Sequence, residues 1–106
     1  MKHSDPLAKV ISHHVRQREL IEMADVLSTK SGRMFVWRIL EKAGVFRGSM
    51  DGNMSWTAFK EGARSVGLQV YVDIMDSCPG RLTEMWQEAK IQRQEDAEYG
   101  RAGSTE

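Results

Sequence analysis

The sequence predicts an all-α fold, a small bundle of about four helices with a central helix hairpin and an N-terminal helical arm. Three observations predict it. Val36, Ile39, Leu40 and Ala43 recur at i, i+3, i+4 and i+7, the spacing of one helix face. Gly44 follows directly, where a helix-ending residue in the left-handed region is wanted. Asp5 before Pro6 places a capping side chain ahead of a proline at the first helical position.

The first helix is expected from Pro6 to about Leu27. Its apolar residues do not stay on one face. Leu7, Val10, Ile11 and Val15 share one side, and Leu20, Met23, Ala24 and Leu27 share another, roughly opposite at 100° per residue. The polar run from His13 to Glu19 lies between them. Either the chain bends near residues 16–19, or the first half packs on something outside the bundle. The second reading is preferred, and residues 1–26 are assigned as an arm, with residues 6–16 facing a partner.

Residues 27–89 are assigned as the core domain. The second helix starts at Ser28/Thr29 and stops at Gly44, with Phe35 flanking its apolar stripe and Met34 and Trp37 lying off it. Residues 45–54 contain two glycines and Asp51-Gly52-Asn53 and read as a structured loop, with Val45 and Phe46 tucked back onto the core. Ser55 is the next cap candidate. Trp56, Phe59, Ala63, Val66, Val70 and Ile74 then form a stripe on a helix to about Asp76. Gly62 and Gly67 interrupt it, and interior glycine costs about 1 kcal/mol relative to alanine, so both suggest close helix–helix contact. Leu68, Tyr71, Val72 and Met75 make the far half apolar on more than one side, which suits a sandwiched or partner-facing surface. Ser77-Cys78-Pro79-Gly80 breaks the chain. Leu82, Met85, Trp86 and Ala89 open a fourth helix to about Glu98. Residues 90–106 are assigned as its end and a polar tail, since YGRAGSTE is small, polar and expected to be disordered.

Size and composition narrow the function. A chain of 106 residues is one domain. No apolar run is long enough for a membrane-spanning helix, and MKHSDPLAK has no apolar stretch of the secretory kind. A single Cys78 excludes an internal disulfide and a multi-cysteine zinc site, and fits a reducing compartment. The net charge is zero, which argues against a dedicated nucleic-acid binder. The charge is nevertheless uneven. Residues 27–50 have an excess of four positive charges, and residues 81–106 lean acidic through Glu84, Glu88, Glu95, Asp96, Glu98 and Glu106. Opposite local signs on a neutral chain suit self-association or docking to a protein. Solvated helix faces explain the same pattern without any partner.

Candidate chemistry is sparse. His13 and His14 are adjacent, point about 100° apart on a helix and have Gln17 and Arg18 rather than carboxylates at i+4, so no metal site is assigned. SMDGNMS lies between two helices as a calcium loop would. With Gly52 at the sixth position, however, the first ligand would be Arg47 and the twelfth Ala58, and neither supplies the oxygen required. Cys78 has no histidine in its half of the chain. No acid–base or nucleophile pair can be named, so no catalytic residue and no cofactor is assigned. Arg33, Arg38, Lys42 and Arg47 form a basic patch. Arg33 and Trp37 lie one turn apart and could pair or stack, which leaves contact with phosphates open.

One stretch carries a resemblance. Leu27-Ser28-Thr29, Gly32-Arg33, the run Trp37 to Phe46 and the run Phe59 to Leu68 together resemble a family of small structural proteins of tailed bacteriophages, of the Bordetella short-tailed type. PGRLTEMWQE, from Pro79 to Glu88, matches more loosely. The resemblance covers about 60 residues in these segments, and residues 1–26 and 90–106 lie outside it. It implies a non-enzymatic virion protein, made in the host bacterial cytoplasm, that binds copies of itself or neighbours at the portal, the neck (head–tail connector) or the internal core. On that reading the partner-binding residues are Leu7, Val10, Ile11 and Val15 of the arm, with Leu68, Tyr71, Val72 and Met75. The basic patch would steer the protein to an acidic neighbour or to DNA. The alternatives are a small phage nucleic-acid-binding or regulatory protein using that patch, and a morphogenesis factor absent from the mature particle.

Overall fold

The computed structural model describes residues 5–46 and 54–104, with backbone alone at 54–58 and 104. Four helices make up the fold: α1 (Pro6–Val26), α2 (Lys30–Ala43), α3 (Met54–Ser77) and α4 (Gly80–Ser104). No strand occurs among the described residues. Residues 47–53, most of the expected 45–54 loop and of SMDGNMS, lie outside them.

α1 is one continuous helix. The Asp5 carboxylate accepts the Leu7 N–H at 3.1 Å, and Pro6 occupies the first turn. Its C-terminal half docks, with Leu27 fully buried and Met23 packed against the core. Its N-terminal half leaves Leu7, Val10 and Ile11 exposed. Polar links from Arg16, between the two stripes, and from Leu20, at the start of the second, tie α1 to α3. Arg16 donates to Asp73 at 2.6 Å and to Asp76 at 2.9 Å, and the Ser77 hydroxyl donates to the Leu20 carbonyl at 2.6 Å. These links advance together along both helices, so α1 and α3 run in the same sense.

Three residues turn α1 into α2. The Thr29 hydroxyl accepts the Gly32 N–H at 3.1 Å, capping α2. Gly32 sits where a Cβ would collide with the Val26 carbonyl, so a side chain there would open the turn. α2 ends on Gly44 at φ +76°, a conformation that side chains disfavour.

The buried face of α2 differs from the expected one. Arg33, Val36, Trp37 and Leu40 are buried, while Ile39 is exposed. Trp37 therefore belongs to the core, and the stripe is rotated toward Arg33. The spacing is still i, i+3, i+4, i+7, but its first member is a cation.

α3 shows the same effect. Phe59 and Val66 of the expected stripe are exposed. The inward residues are Gly67 and Ile74, both buried, with Val70 and Tyr71 half-buried. Gly67 sets this face. A Cβ there would lie 2.6 Å from both Ala43 Cβ and Val45 Cγ2, so the α2–α3 hairpin closes only because Gly67 has no side chain. Gly62 has open space around it and makes no such contact. The helix already includes Ser55, so the expected cap lies inside it.

α4 runs to Ser104, well past Glu98, and the polar tail YGRAGSTE is helical as far as it is described. Met85 and Ala89 fill the core, but every residue from Lys90 to Gly103 is exposed. Among the described residues the core consists of Leu27, Val36, Trp37, Leu40, Val45, Ile74, Met85 and Ala89. The molecule measures 69 × 39 × 17 Å, and its radius of gyration of 18.5 Å exceeds the roughly 13 Å of a compact chain this long.

Candidate docking surfaces

The basic patch is divided by the fold. Arg33 is buried rather than displayed. Its Nε and Nη2 donate to the two carboxylate oxygens of Glu88 at 2.9 and 2.8 Å, and its Nη1 donates to the Leu27 carbonyl at 3.1 Å. Glu84 lies 3.4 Å away. This bidentate pairing holds the Glu88 carboxyl below its ordinary pKa range against the opposing effect of burial, and it raises that of the Arg33 guanidinium. Arg33 is thus a joint between α2, α4 and the end of α1, and it drops out of any external patch. Lys42 remains exposed on α2, and so does Arg38, whose guanidinium lies 5.3 Å from the Phe35 ring centre. Arg47 lies outside the described residues.

The same pairing accounts for part of the charge segregation. Glu84 and Glu88 meet Arg33 within the chain, and Glu41 meets Arg93 at 3.8 Å. These links also order α2 and α4 in the same sense. A share of the opposite local charge is therefore spent on folding and not on a partner.

The apolar candidates separate likewise. Leu7, Val10 and Ile11 are exposed and Val15 is half-buried. On α3, Leu68 and Tyr71 pack against the core, whereas Val72 and Met75 are exposed. A hollow lined by Arg16, Ser65, Leu68, Gln69, Val72 and Asp73 opens beside the Arg16 anchor. Sequence reasoning did not single out Arg16. The only signal was a lone arginine between two histidines and a Gln-Arg-Glu run, which gives no hint of carboxylates 57 and 60 positions away.

A second groove, of about 500 Å³, lies between α2 and α4 and was not foreseen. Trp37, Phe46, Leu82 and Trp86 give it an apolar floor, with Thr83, Glu41 and Arg93 at its edge. Trp37 and Phe46 stack with ring centres 5.1 Å apart, and the Trp37 indole nitrogen is buried with no hydrogen-bond partner among the described residues. The Arg33–Trp37 pairing considered from sequence is replaced by this Trp37–Phe46 stack.

No cluster of three or more histidine, cysteine or acidic side chains that could hold a metal occurs among the described residues. No helix there is long and apolar enough to cross a membrane. The family profile described as Bbp19-like phage protein matches residues 23–87, more than half of the chain. The chain belongs to the Bbp19-like phage protein family. The matched region runs from the last turn of α1 to a point on α4 just short of Glu88, and it contains every described core residue except Ala89. The exposed half of α1 and the outer part of α4 lie outside the matched region. No curated protein and no solved structure matches the chain.

Proposed function

We propose that this phage protein is a non-enzymatic structural subunit of the virion, made in the host bacterial cytoplasm, that assembles with itself and with portal, neck or internal core proteins. The observation that supports this most is the uncovered apolar side of α1. Leu7, Val10 and Ile11 face solvent on a helix whose opposite side is anchored to α3 by Arg16. Apolar side chains gathered on one face of a projecting helix mark a surface for another protein. The elongated outline, with two helices reaching beyond the described core, fits a part that completes its packing against neighbours.

The test is mass spectrometry of purified particles carrying either the natural protein or a Leu7→Ser/Val10→Ser/Ile11→Ser variant. The natural protein is expected in the particle at fixed stoichiometry. The variant is expected to keep its helical circular dichroism and to be lost from particles. Absence of the natural protein from particles would leave only the roles of morphogenesis factor or regulator. A nucleic-acid role through α2 now rests on Arg38 and Lys42 without Arg33. It requires salt-dependent DNA affinity that falls in an Arg38→Ala/Lys42→Ala variant.

A further inference from the structure

The exposed face of α1 has a finer pattern than an apolar patch. Leu7, Ile11, His14, Arg18 and Ile21 follow one another at spacings of four, three, four and three. That is the spacing of the seam in a two-stranded coiled coil, here with apolar residues at its two ends and His14 and Arg18 between them. Leu7, Ile11 and Ile21 are 64, 53 and 62 % exposed, and Val10 beside them is 65 % exposed. Arg16 is nine positions from Leu7, which is two and a half turns at about 3.6 residues per turn. The seam therefore points directly away from the side that Arg16 ties to Asp73 and Asp76 of α3.

We propose that α1 pairs with α1 of a second copy, antiparallel, with His14 at the two-fold axis. This rests on the reading of the arm as a protein-binding element and specifies its partner. The order of the seam is what selects the arrangement. About a centre at His14, Leu7 of one copy faces Ile21 of the other, and Ile11 faces the Gln17-Arg18 turn. Arg18 can lay its aliphatic stem on that isoleucine while its guanidinium stays with Glu22, 4.0 Å away in its own helix. A parallel pair would instead stack Arg18 on Arg18. The antiparallel pair sets each opposite residue 10, about 12 Å along the helix from the other arginine at 1.5 Å per residue.

Charge points to a second copy rather than to DNA. Residues 5–26 carry Asp5, Glu19, Glu22 and Asp25 against Lys9, Arg16 and Arg18, a net charge of −1, so two copies meet with little repulsion. The only cation on the seam is Arg18, and it is already paired. Two such faces bury on the order of 1,000 Å² in total, at the lower bound for a specific interface. Both bundles stay on the outside, because each is fixed to the far side of its own α1.

The experiment uses the full chain with Cys78→Ser and one new cysteine per variant: His14→Cys, Leu7→Cys or Ile21→Cys. Sedimentation velocity gives the oligomeric state, and mild oxidation followed by intact mass reads covalent dimers. His14→Cys is expected to cross-link to itself, because the two copies meet at that position within disulfide reach. Leu7→Cys and Ile21→Cys are each expected to stay uncross-linked alone, since like positions lie about 21 Å apart along the helices. Mixing those two variants is expected to give the mixed dimer. Self-cross-linking of Leu7→Cys or Ile21→Cys would overturn the antiparallel register. An oligomer by sedimentation with no His14→Cys cross-link would overturn the α1–α1 contact while leaving the structural role intact. A monomer at all concentrations that is also missing from particles would sink both.

Discussion

Arg33 is the residue on which the most depends. It joins α2 to α4 through Glu88 and to the end of α1 through the Leu27 carbonyl. Because the folded-state pKa of Glu88 is lowered, its contribution to stability is complete above the ordinary glutamate range near 4.5 and is lost as pH falls through the lower folded value. Acid titration of unfolding should show this loss below about pH 4.5 in the natural protein, where glutamates begin to protonate. Glu88→Gln should be less stable at pH 7 and should have a flatter dependence below pH 4.5. An unchanged acid limb in that variant would show that the joint does not control it. The glycines give a second comparison. Gly67→Ala should destabilise by about 1–3 kcal/mol in urea titration, because Ala43 and Val45 occupy the space a Cβ needs. Gly62→Ala, with open space around it, should stabilise by roughly 0.5–1 kcal/mol. Equal effects at the two positions would contradict the close α2–α3 approach.

At the level of elements, helix number and most boundaries are legible in the sequence because they depend on local chemistry. Asp5-Pro6, Thr29 and Gly44 act within a few residues of themselves, and the structure uses all three as expected. Thr29→Ala should therefore lower stability by about 1 kcal/mol, measured by thermal unfolding, through loss of the bond to the Gly32 N–H. Which face each helix buries is less legible. In α2 and α3 the inward face starts from Arg33 and Gly67, residues that a hydropathy pattern counts as outward. Arg33 is buried because Glu88 neutralises it, and Gly67 because α2 must come close. Both causes lie on other helices. The candidate site divides for the same reason. The exposed apolar arm could be read from two stripes that one straight helix cannot bury together. The Arg16 anchor and the α2–α4 groove could not, since each needs residues distant in sequence to be placed side by side.

At the level of the molecule, the described core residues other than Ala89 all lie between residues 23 and 87, the part that matches the family. The two ends project from it. Beyond Ala89, α4 is a single helix with no buried residue up to Gly103. A helix in water whose side chains are all exposed is held less firmly than a packed one, because helices owe most of their stability to tertiary packing. Amide hydrogen exchange reports that difference directly. In the free protein, protection should be strong from Val36 to Leu40 and around Ile74 and Met85, and should fall away from Lys90 toward Ser104. Slow exchange throughout residues 90–104 of the free protein would mean that this segment is already covered. If protection there rises only in assembled particles, the outer turns of α4 serve as a clock hand for assembly: the same backbone, timed by exchange, tells when a neighbour has arrived.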